Sequence, residues 1–241
     1  MKAVILAAGK GTRMGELTDK LPKPMLKVDG KPTLEYIVEG LRDEAGISDI
    51  FIVTGWRGQV IREHFGNGQR WNVNITYGEQ VVQDGTGKAP ELAKDWIGAN
   101  NFMLAYGDIL LRPATDYKLL VEAFREDGVI AVKKAKDEEL SKGGAVVLDE
   151  NGFMIDLVEK APLGQIPANA FYNAAIYLLT PRIFAFTARL EKSPRGEYEF
   201  TDALKALVKD GARLRGVTLR REWADVRDPS VLAELNSRGK L

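Results

Sequence analysis

The feature that most restricts how this chain can fold is its first apolar run and the turn it leads into, residues 3 to 26, AVILAAGKGTRMGELTDKLPKPML. Residues 2 to 8 are continuously apolar and end in a glycine-rich turn, which suits a strand covered on both faces, as in a parallel sheet. Such a strand exposes backbone N–H groups at its carboxyl end. Gly9 and Gly11 would let an anion approach the main chain without a Cβ in the way, and Arg13 and Lys23 follow within the same stretch. The segment reads as a phosphate cradle of an uncommon kind. Met14 stands close to where the dinucleotide fingerprint GxGxxG needs its third glycine, Gly15 comes one position further, and Thr12 is followed by arginine, so no GKS or GKT completes a Walker loop. On its own, a GxG is equally the mark of a tight strand exit.

Beyond this segment the chain alternates strand and helix. Residues 32–46, PTLEYIVEGLRDEAG, carry apolar residues at helical spacing between Pro32 and Gly46, and SDIFIVTGW is a second buried strand. Strand, helix and strand imply a crossover and an open α/β sheet. A short helix at 59–66, a strand at 72–80, a helix at 90–98 and a strand at 101–111 continue the pattern. The second half is less regular: a helix at 116–127, a strand at 128–135, a hairpin at 144–161 turning on DENG, and a strand at 173–181. Helices at 181–192 and 200–211, strands within 212–226 and a terminal helix at 228–240 complete it. The expected fold is α/β, doubly wound, with a mostly parallel open sheet of Rossmann type. We expect one domain over 1–241, in two halves at about 1–112 and about 113–241. Ligands of such sheets gather at the carboxyl ends of strands.

Composition narrows the partners. Lys plus Arg and Asp plus Glu number 34 each, for a formal net charge of zero, so nothing draws the whole chain to nucleic acid or to an acidic membrane. The one basic run, RLRGVTLRRE, alternates like a strand with a solvated face. There is no cysteine, hence no disulfide or thiolate metal site, which fits a cytoplasmic protein. The N-terminal apolar run is too short for a signal peptide or a membrane span.

Several residues have side chains suited to a two-substrate phosphoryl chemistry. Pro22 and Pro24 are expected to hold Lys23 in an extended, stiffened segment that presents its ammonium. Gln80, or alternatively Gln83, can both donate to and accept from one base edge, and Gly85 beside Thr86 frees backbone groups to pair there too. Asp108 and Asp225 are hard oxygen ligands of the kind Mg²⁺ prefers. Glu159, Lys160 and Asn173, with Gly144, offer acceptors, a point charge and an amide for a sugar phosphate; Glu159 and Lys160 would equally form a charged rim at a strand end. Glu197 either lines the same pocket or caps the next helix. The single histidine, His64, lies away from the motifs and is expected to pack or face solvent.

Taken together, these strings resemble the sugar-1-phosphate nucleotidylyltransferases, the enzymes that make nucleoside diphosphate sugars. The first stretch is similar to their LAAGxGTRM…PKPML signature. Gln80, Gly85, Thr86 and Ala89 resemble the QxxxxGTxxA of N-acetylglucosamine-1-phosphate uridylyltransferases, YGD and WAD resemble two metal-binding aspartates, and VEK, YNAAIY and GEYEFTD resemble EEKP, NxGxY and GEYxLTD. The resemblance implies that Leu6, Ala7, Ala8, Gly9, Gly11, Thr12, Arg13, Lys23, Gln80, Gly85 and Thr86 bind the nucleotide. Gly11, Thr12 and Arg13 would take the β and γ phosphates, and Arg13 and Lys23 the catalytic roles. It implies Mg²⁺ on Asp108 and Asp225, and a sugar on Gly144, Glu159, Lys160 and Asn173.

The implied reaction is UTP plus a sugar 1-phosphate giving a UDP-sugar and pyrophosphate, with dTTP or CTP as the alternative nucleotide. Neither nucleic acid nor a membrane is an expected partner, and self-association is left open. A non-catalytic sugar-nucleotide sensor is the reading from another class, and retention of Arg13, Lys23, Asp108 and Asp225 weighs against it. No acyltransferase domain of hexapeptide repeats is expected within these residues. The chain departs from the thymidylyl-type string WxDxGTP at Arg227 and Asp228, which leaves the local backbone shape open. Ala161 and Ala175 stand where proline and glycine are common.

Overall fold

A computed structural model describes residues 1–238, which group into two compact units interleaved along the sequence. The first holds Met1–Gln83, Ala105–Lys118 and the chain from Arg221 onward; the second holds Asp84–Leu104 and Leu119–Arg220. Residues 239 and 240 of the expected terminal helix lie outside the described residues.

The first unit bears out the α/β reading. Strands Lys2–Ala7, Asp49–Thr54 and Asn74–Glu79 pair in parallel, with Ala7 level with Thr54 and Thr54 level with Glu79. Their carboxyl ends therefore finish together. The near-continuous burial of the first two accounts for their unbroken apolar runs in the sequence. Helix Thr33–Asp43 forms the crossover and buries Leu34, Ile37, Val38 and Leu41, the i, i+3, i+4, i+7 set of an amphipathic helix. A Cβ on its Gly40 would come 2.7 Å from the Tyr117 ring, so glycine is required there for close approach.

The strand expected over 101–111 is two strands, Phe102–Tyr106 and Ile109–Arg112. The break falls at Gly107, whose N–H donates to the Leu6 carbonyl at 2.9 Å and whose Cβ, if present, would sit 3.0 Å from that same oxygen. Beyond the break the chain pairs antiparallel with Glu222–Asp225. Apolar composition hides the change, because Ile109, Leu110 and Leu111 are as buried in the ribbon as Phe102 to Leu104 are before the break. The terminal helix Pro229–Ser237 packs Leu235 with Val28, Leu110 and Val226.

In the second unit the strand order is Met154–Glu159, Gly144–Leu148, Ala170–Leu179, Gly128–Lys133, Leu214–Thr218. All neighbours are antiparallel except the last pair. The expected DENG hairpin is present, its turn held by the Asp149 carboxylate accepting from the N–H groups of Asn151 and Phe153. Helix Phe200–Lys209 buries Phe200, Ala203, Leu204 and Leu207. The helices expected at 90–98 and 181–192 each begin as a 3₁₀ turn and hold only four α-helical residues. Among the described residues no helix is long and apolar enough to cross a membrane.

Strand Ala170–Leu179 shifts register between Asn173 and Tyr177, and Ala175 in the shift has φ 56°. That conformation suits glycine and explains why an alanine here breaks the pattern. Ala175→Gly should leave the thermal midpoint unchanged or raised, because relief of about 1 kcal/mol of left-handed strain offsets the added unfolded-state entropy. Ala175→Val should lower it clearly, since a β-branched residue is the worst fit to positive φ. A valine variant melting with the wild type would show that the bulge is not held.

Candidate active site

The glycine-rich turn at the end of Lys2–Ala7 folds into a single 3₁₀ turn, Thr12–Met14, anchored by the buried Met14 and leaving Thr12 and Arg13 exposed. Gly11 is left-handed at φ 66°, and a Cβ on it would lie 3.0 Å from Lys23 Cβ. Both conformation and contact therefore require glycine. Gly9 has open space where a Cβ would stand, as a backbone anion cradle needs.

Lys23 does not sit in a wholly extended segment. Pro22 is extended, but Lys23–Met25 is one 3₁₀ turn, closed by the Met25 N–H on the Pro22 carbonyl at 2.8 Å. Pro24 lies at its second position, where a missing N–H costs nothing. The Lys23 side chain is 13% exposed, its ammonium 2.5 Å from Asp108 Oδ2 and 3.9 Å from Asp225 Oδ1.

The two aspartates meet because their strands do. Asp225 stands level with Ile109 in the antiparallel ribbon, and the Val226 N–H donates to the Asp108 carbonyl at 3.0 Å. The departure at Arg227 and Asp228 is thereby resolved. Asp228 caps helix Pro229–Ser237, accepting from the Ser230 hydroxyl at 2.6 Å and from the N–H groups of Ser230 and Val231 at 3.1 Å each, and those bonds, the hydroxyl's foremost, hold its carboxyl below the usual range. Burial, then the Asp108 charge, push the Asp225 carboxyl up to about 6, against the pull of Lys23, Arg227 and Arg13.

A carboxylate such as that of Asp225, which burial and the neighbouring Asp108 charge disfavour in the charged form, gains from a bound cation. Among the described residues no third acidic or histidine side chain joins them as a ligand cluster. Mg²⁺ is commonly held by one or two carboxylates plus water and substrate phosphates, so the donor set fits that ion.

Gln80 follows the carboxyl end of Asn74–Glu79, half-buried, its N–H on the Thr54 carbonyl at 2.8 Å, while Gln83 is exposed. Leu6, Ala7 and Ala8 close the first strand beside Gly107. His64 packs against Phe65 and Trp71, with Nε2 2.9 Å from Glu35 Oε2, the structural role expected for it.

In the second unit, Gly85 and Thr86 are tied to the GEYEFTD segment. The Tyr198 N–H donates to the Asp84 carbonyl at 2.7 Å and the Gly87 N–H to the Tyr198 carbonyl at 2.8 Å. A Cβ on Gly85 would come within 2.3 Å of that carbonyl oxygen. Backbone packing therefore requires this glycine whatever the loop binds.

Gly144, Glu159 and Asn173 converge. Glu159 pairs with Gly144 across the hairpin, and a Cβ on Gly144 would be 3.2 Å from Asn173 Cβ and 3.3 Å from Glu159 Oε2. Asn173, 8% exposed, exchanges hydrogen bonds with the Tyr177 hydroxyl at 2.8 and 3.0 Å. Lys160 is exposed at φ 48°, its N–H on the Gly143 carbonyl. Burial and the neighbouring Glu199 raise the Glu159 carboxyl, while Arg195 and Lys160 oppose the shift. Arg195 Nη2 lies 2.6 Å from Glu199 Oε1 and 4.0 Å from Glu159 Oε1. Within the GEYEFTD segment Glu199 and, to a lesser extent, Asp202 act on the Glu159 carboxyl, while Glu197 is exposed. Arg195 lies in none of the strings read from the sequence, and Tyr177 and Glu199 lie within YNAAIY and GEYEFTD without being singled out there. For Gly107 the YGD string was available, but its close approach to Leu6 was not.

Residues 2–239 match the protein family described as "Nucleotidyl transferase". The "Bifunctional protein GlmU" of Methanococcus maripaludis (strain C7) is 37% identical over 238 residues, which cover 99% of this chain and 54% of that protein. The "UTP--glucose-1-phosphate uridylyltransferase AglF" of Haloferax volcanii is 31% identical over 246 residues, covering 99% and 96%. Among solved structures, a UDP-glucose pyrophosphorylase complexed with UDP-glucose is similar at TM-score 0.88 and 26% identity, covering 98% of this chain and 97% of that one. A putative glucose-1-phosphate thymidylyltransferase from Bacillus anthracis gives 0.85 and 26%, covering 99% and 94%. The chain spans about half the length of the curated GlmU relatives it matches.

The raised Glu159 carboxyl predicts a pH-dependent stability cost. A carboxyl whose folded pKa lies above its unfolded value binds more protons in the native state, so stability falls as pH rises from the ordinary glutamate range through the raised value, and stays lower above it. Glu159→Gln should therefore gain in melting temperature relative to wild type at neutral pH, and the gain should shrink on acidification below the glutamate range. A difference that does not change with pH would show that the Glu159 charge is not the destabilising element.

Proposed function

The chain belongs to the nucleotidyl transferase family, and on that premise we propose that it transfers the uridylyl group of UTP to a sugar 1-phosphate, releasing pyrophosphate and forming a UDP-sugar. The observation that carries this reading is the Lys23 ammonium held against Asp108 and Asp225 with its stem under Gly11 of the glycine-rich turn. A cation and two carboxylates beside a backbone cradle suit phosphates whose charge shifts during transfer.

A sugar-phosphate oxygen attacks the α-phosphorus in line; the new P–O bond forms as the bond to the β-phosphate bridging oxygen breaks, and pyrophosphate leaves with those electrons. The nucleophile is already ionised, with a second pKa near 6, so the step needs no general base. The position of His64 in an aromatic cluster is consistent with that. Lys23 donates to the equatorial oxygens as charge grows on them. Thr12, Arg13 and the Gly11 backbone hold the β and γ phosphates and steady the leaving pyrophosphate. Asp108 and Asp225 would hold Mg²⁺, whose charge neutralises the phosphate oxygens.

Leu6, Ala7, Ala8 and Gly9 line the nucleotide. Gln80, at a strand end and half-buried, is the better base reader than the exposed Gln83, with Gly85 and Thr86 beside the base. Gly144, Glu159 and Asn173 bind the sugar, and the exposed Lys160 meets its phosphate. The residues work as one nucleotidyltransferase domain, and the cysteine-free composition suits a cytoplasmic setting.

UTP is preferred because Gln80 stands at its motif distance from Gly85 and Thr86, and because one full-length relative is named as a UTP-dependent enzyme. The methyl of thymine would be discriminated by only about 1–3 kcal/mol. A matrix of UTP, dTTP, CTP, ATP and GTP against several sugar 1-phosphates, with and without Mg²⁺ and followed by pyrophosphate release, should give its largest rate with UTP and none without metal. A larger rate with dTTP would move the assignment to the thymidylyl type, and no turnover in any pair would leave a sugar-nucleotide sensor. Asp108→Asn, Asp225→Asn and Arg13→Ala should each lower turnover by roughly 10²-fold or more, the cost of one lost transition-state charge contact. Near-normal pyrophosphate release by Asp108→Asn would remove that residue from the site.

A further inference from the structure

Within the glycine-rich turn, the Met14 N–H on the Gly11 carbonyl at 2.9 Å, the Gly15 N–H on the Thr12 carbonyl at 3.2 Å and the buried Met14 shape residues 11–15. Gly11 and Gly15 are both left-handed, at φ 66° and 57°, and Gly9 touches nothing on the side where a Cβ would be. A backbone with three such residues is permissive, yet a cradle aimed at a triphosphate works only if its N–H groups are already in place. The internal bonds span residues 11–15, so order at the entry before Gly11 and at the exit beyond Gly15 draws on contacts outside the turn.

It comes from a second turn, Gly55–Arg57, at the end of strand Asp49–Thr54. The Trp56 N–H donates to the Ala8 carbonyl at 2.9 Å, and a Cβ on Gly55 would come 2.6 Å from that oxygen, so the two turns touch at the entry to the cradle. The other end of the same residue reaches the exit. The Trp56 indole Nε1–H donates to the Thr18 carbonyl at 2.9 Å. Thr18 is 2% exposed, and its hydroxyl lies 3.2 Å from the Gly11 carbonyl and 3.1 Å from that of Gly15. Arg57 adds a strut from its guanidinium to the Asp19 carbonyl at 2.9 Å. Lys10, from the cradle itself, sets its ammonium 4.6 Å from the Trp56 ring centroid.

We propose that Trp56 is the positioning residue of the phosphate cradle, clamping its entry through the main chain at Ala8 and its exit through the indole at Thr18, with Thr18 passing the constraint to the carbonyls of Gly11 and Gly15. The inference rests on the reading that this turn takes the triphosphate. Trp56 touches no reacting atom in that scheme. It acts by holding Thr12 and Arg13, so its loss falls on nucleotide binding and leaves the sugar side alone.

The test is steady-state kinetics of the full chain as Trp56→Phe, which keeps an aromatic ring and removes the N–H donor, beside Thr18→Val and Thr18→Ser. Trp56→Phe and Thr18→Val should each raise the KM for UTP by roughly 10-fold, the loss expected from one buried hydrogen bond. The KM for the sugar 1-phosphate should stay within about twofold, as a site-specific effect requires. Thr18→Ser, which keeps the hydroxyl, should restore most of the UTP affinity. An unchanged KM for UTP in Trp56→Phe overturns the clamp and leaves the proposed activity standing. So does an equal loss in both KM values together with a lowered melting temperature, the mark of general destabilisation. If the wild type turns over no nucleotide, the activity reading fails and amide hydrogen exchange decides the clamp. Residues 9–17 should then exchange faster in Trp56→Phe and Thr18→Val than in wild type, and equal rates overturn it.

Discussion

Much of the first unit is arranged around one charge contact, the ammonium of Lys23 against the carboxylates of Asp108 and Asp225. Taking three charges largely out of water is costly, and such clusters add little net stability. Their arrangement here has to be enforced by the rest of the unit. Gly11 lies on the lysine stem, Gly107 brings the Asp108 turn onto the Leu6 carbonyl, and the ribbon Ile109–Arg112 with Glu222–Asp225 fixes the carboxylates side by side. The ribbon is itself pinned by Arg112, which pairs with Asp29 and Glu222 at 11% exposure, and by the terminal helix over Val28 and Leu110. The upward push on Asp225 measures how far the arrangement runs against solvation.

The glycines of the motifs do different work from one another. Gly9 leaves space open, Gly11 combines a left-handed backbone with a lysine stem packed on it, and Gly85 has a neighbouring carbonyl where its Cβ would be. Only the first has the form of a pure ligand requirement. The strings that resemble a nucleotide site thus record folding constraints as much as binding ones. Glu159 shows the same tension among side chains. It sits near Glu199, and the cluster is relieved by Arg195, so a group proposed to bind sugar hydroxyls is held at a cost to the fold.

Most elements were legible because the signals were local. Apolar runs gave the first two parallel strands and alternation the third, the i, i+3, i+4 spacing gave Thr33–Asp43, and DENG gave the hairpin. The misreadings share a cause. The run 101–111 looks continuous because both halves are buried, in different partners. Lys23 looked extended because the proline rules describe a dipeptide, whereas the Met25 N–H closes a turn across it. Glu197 rather than Glu199 was singled out because the sequence does not say which way a loop residue faces.

By itself, the sequence determined the α/β alternation, the family, and the chemical types gathered in the motifs, since these depend on side-chain pattern over a few residues. Tertiary structure decided which carboxylates meet, that residues from Arg221 onward return to the first unit, and that Asp228 serves as a helix cap. It also decided that Trp56, absent from every motif, spans both ends of the cradle. Such facts depend on contacts between segments far apart in the chain, where loop closure costs little more for a distant partner than for a near one, so spacing in the sequence carries almost no trace of them.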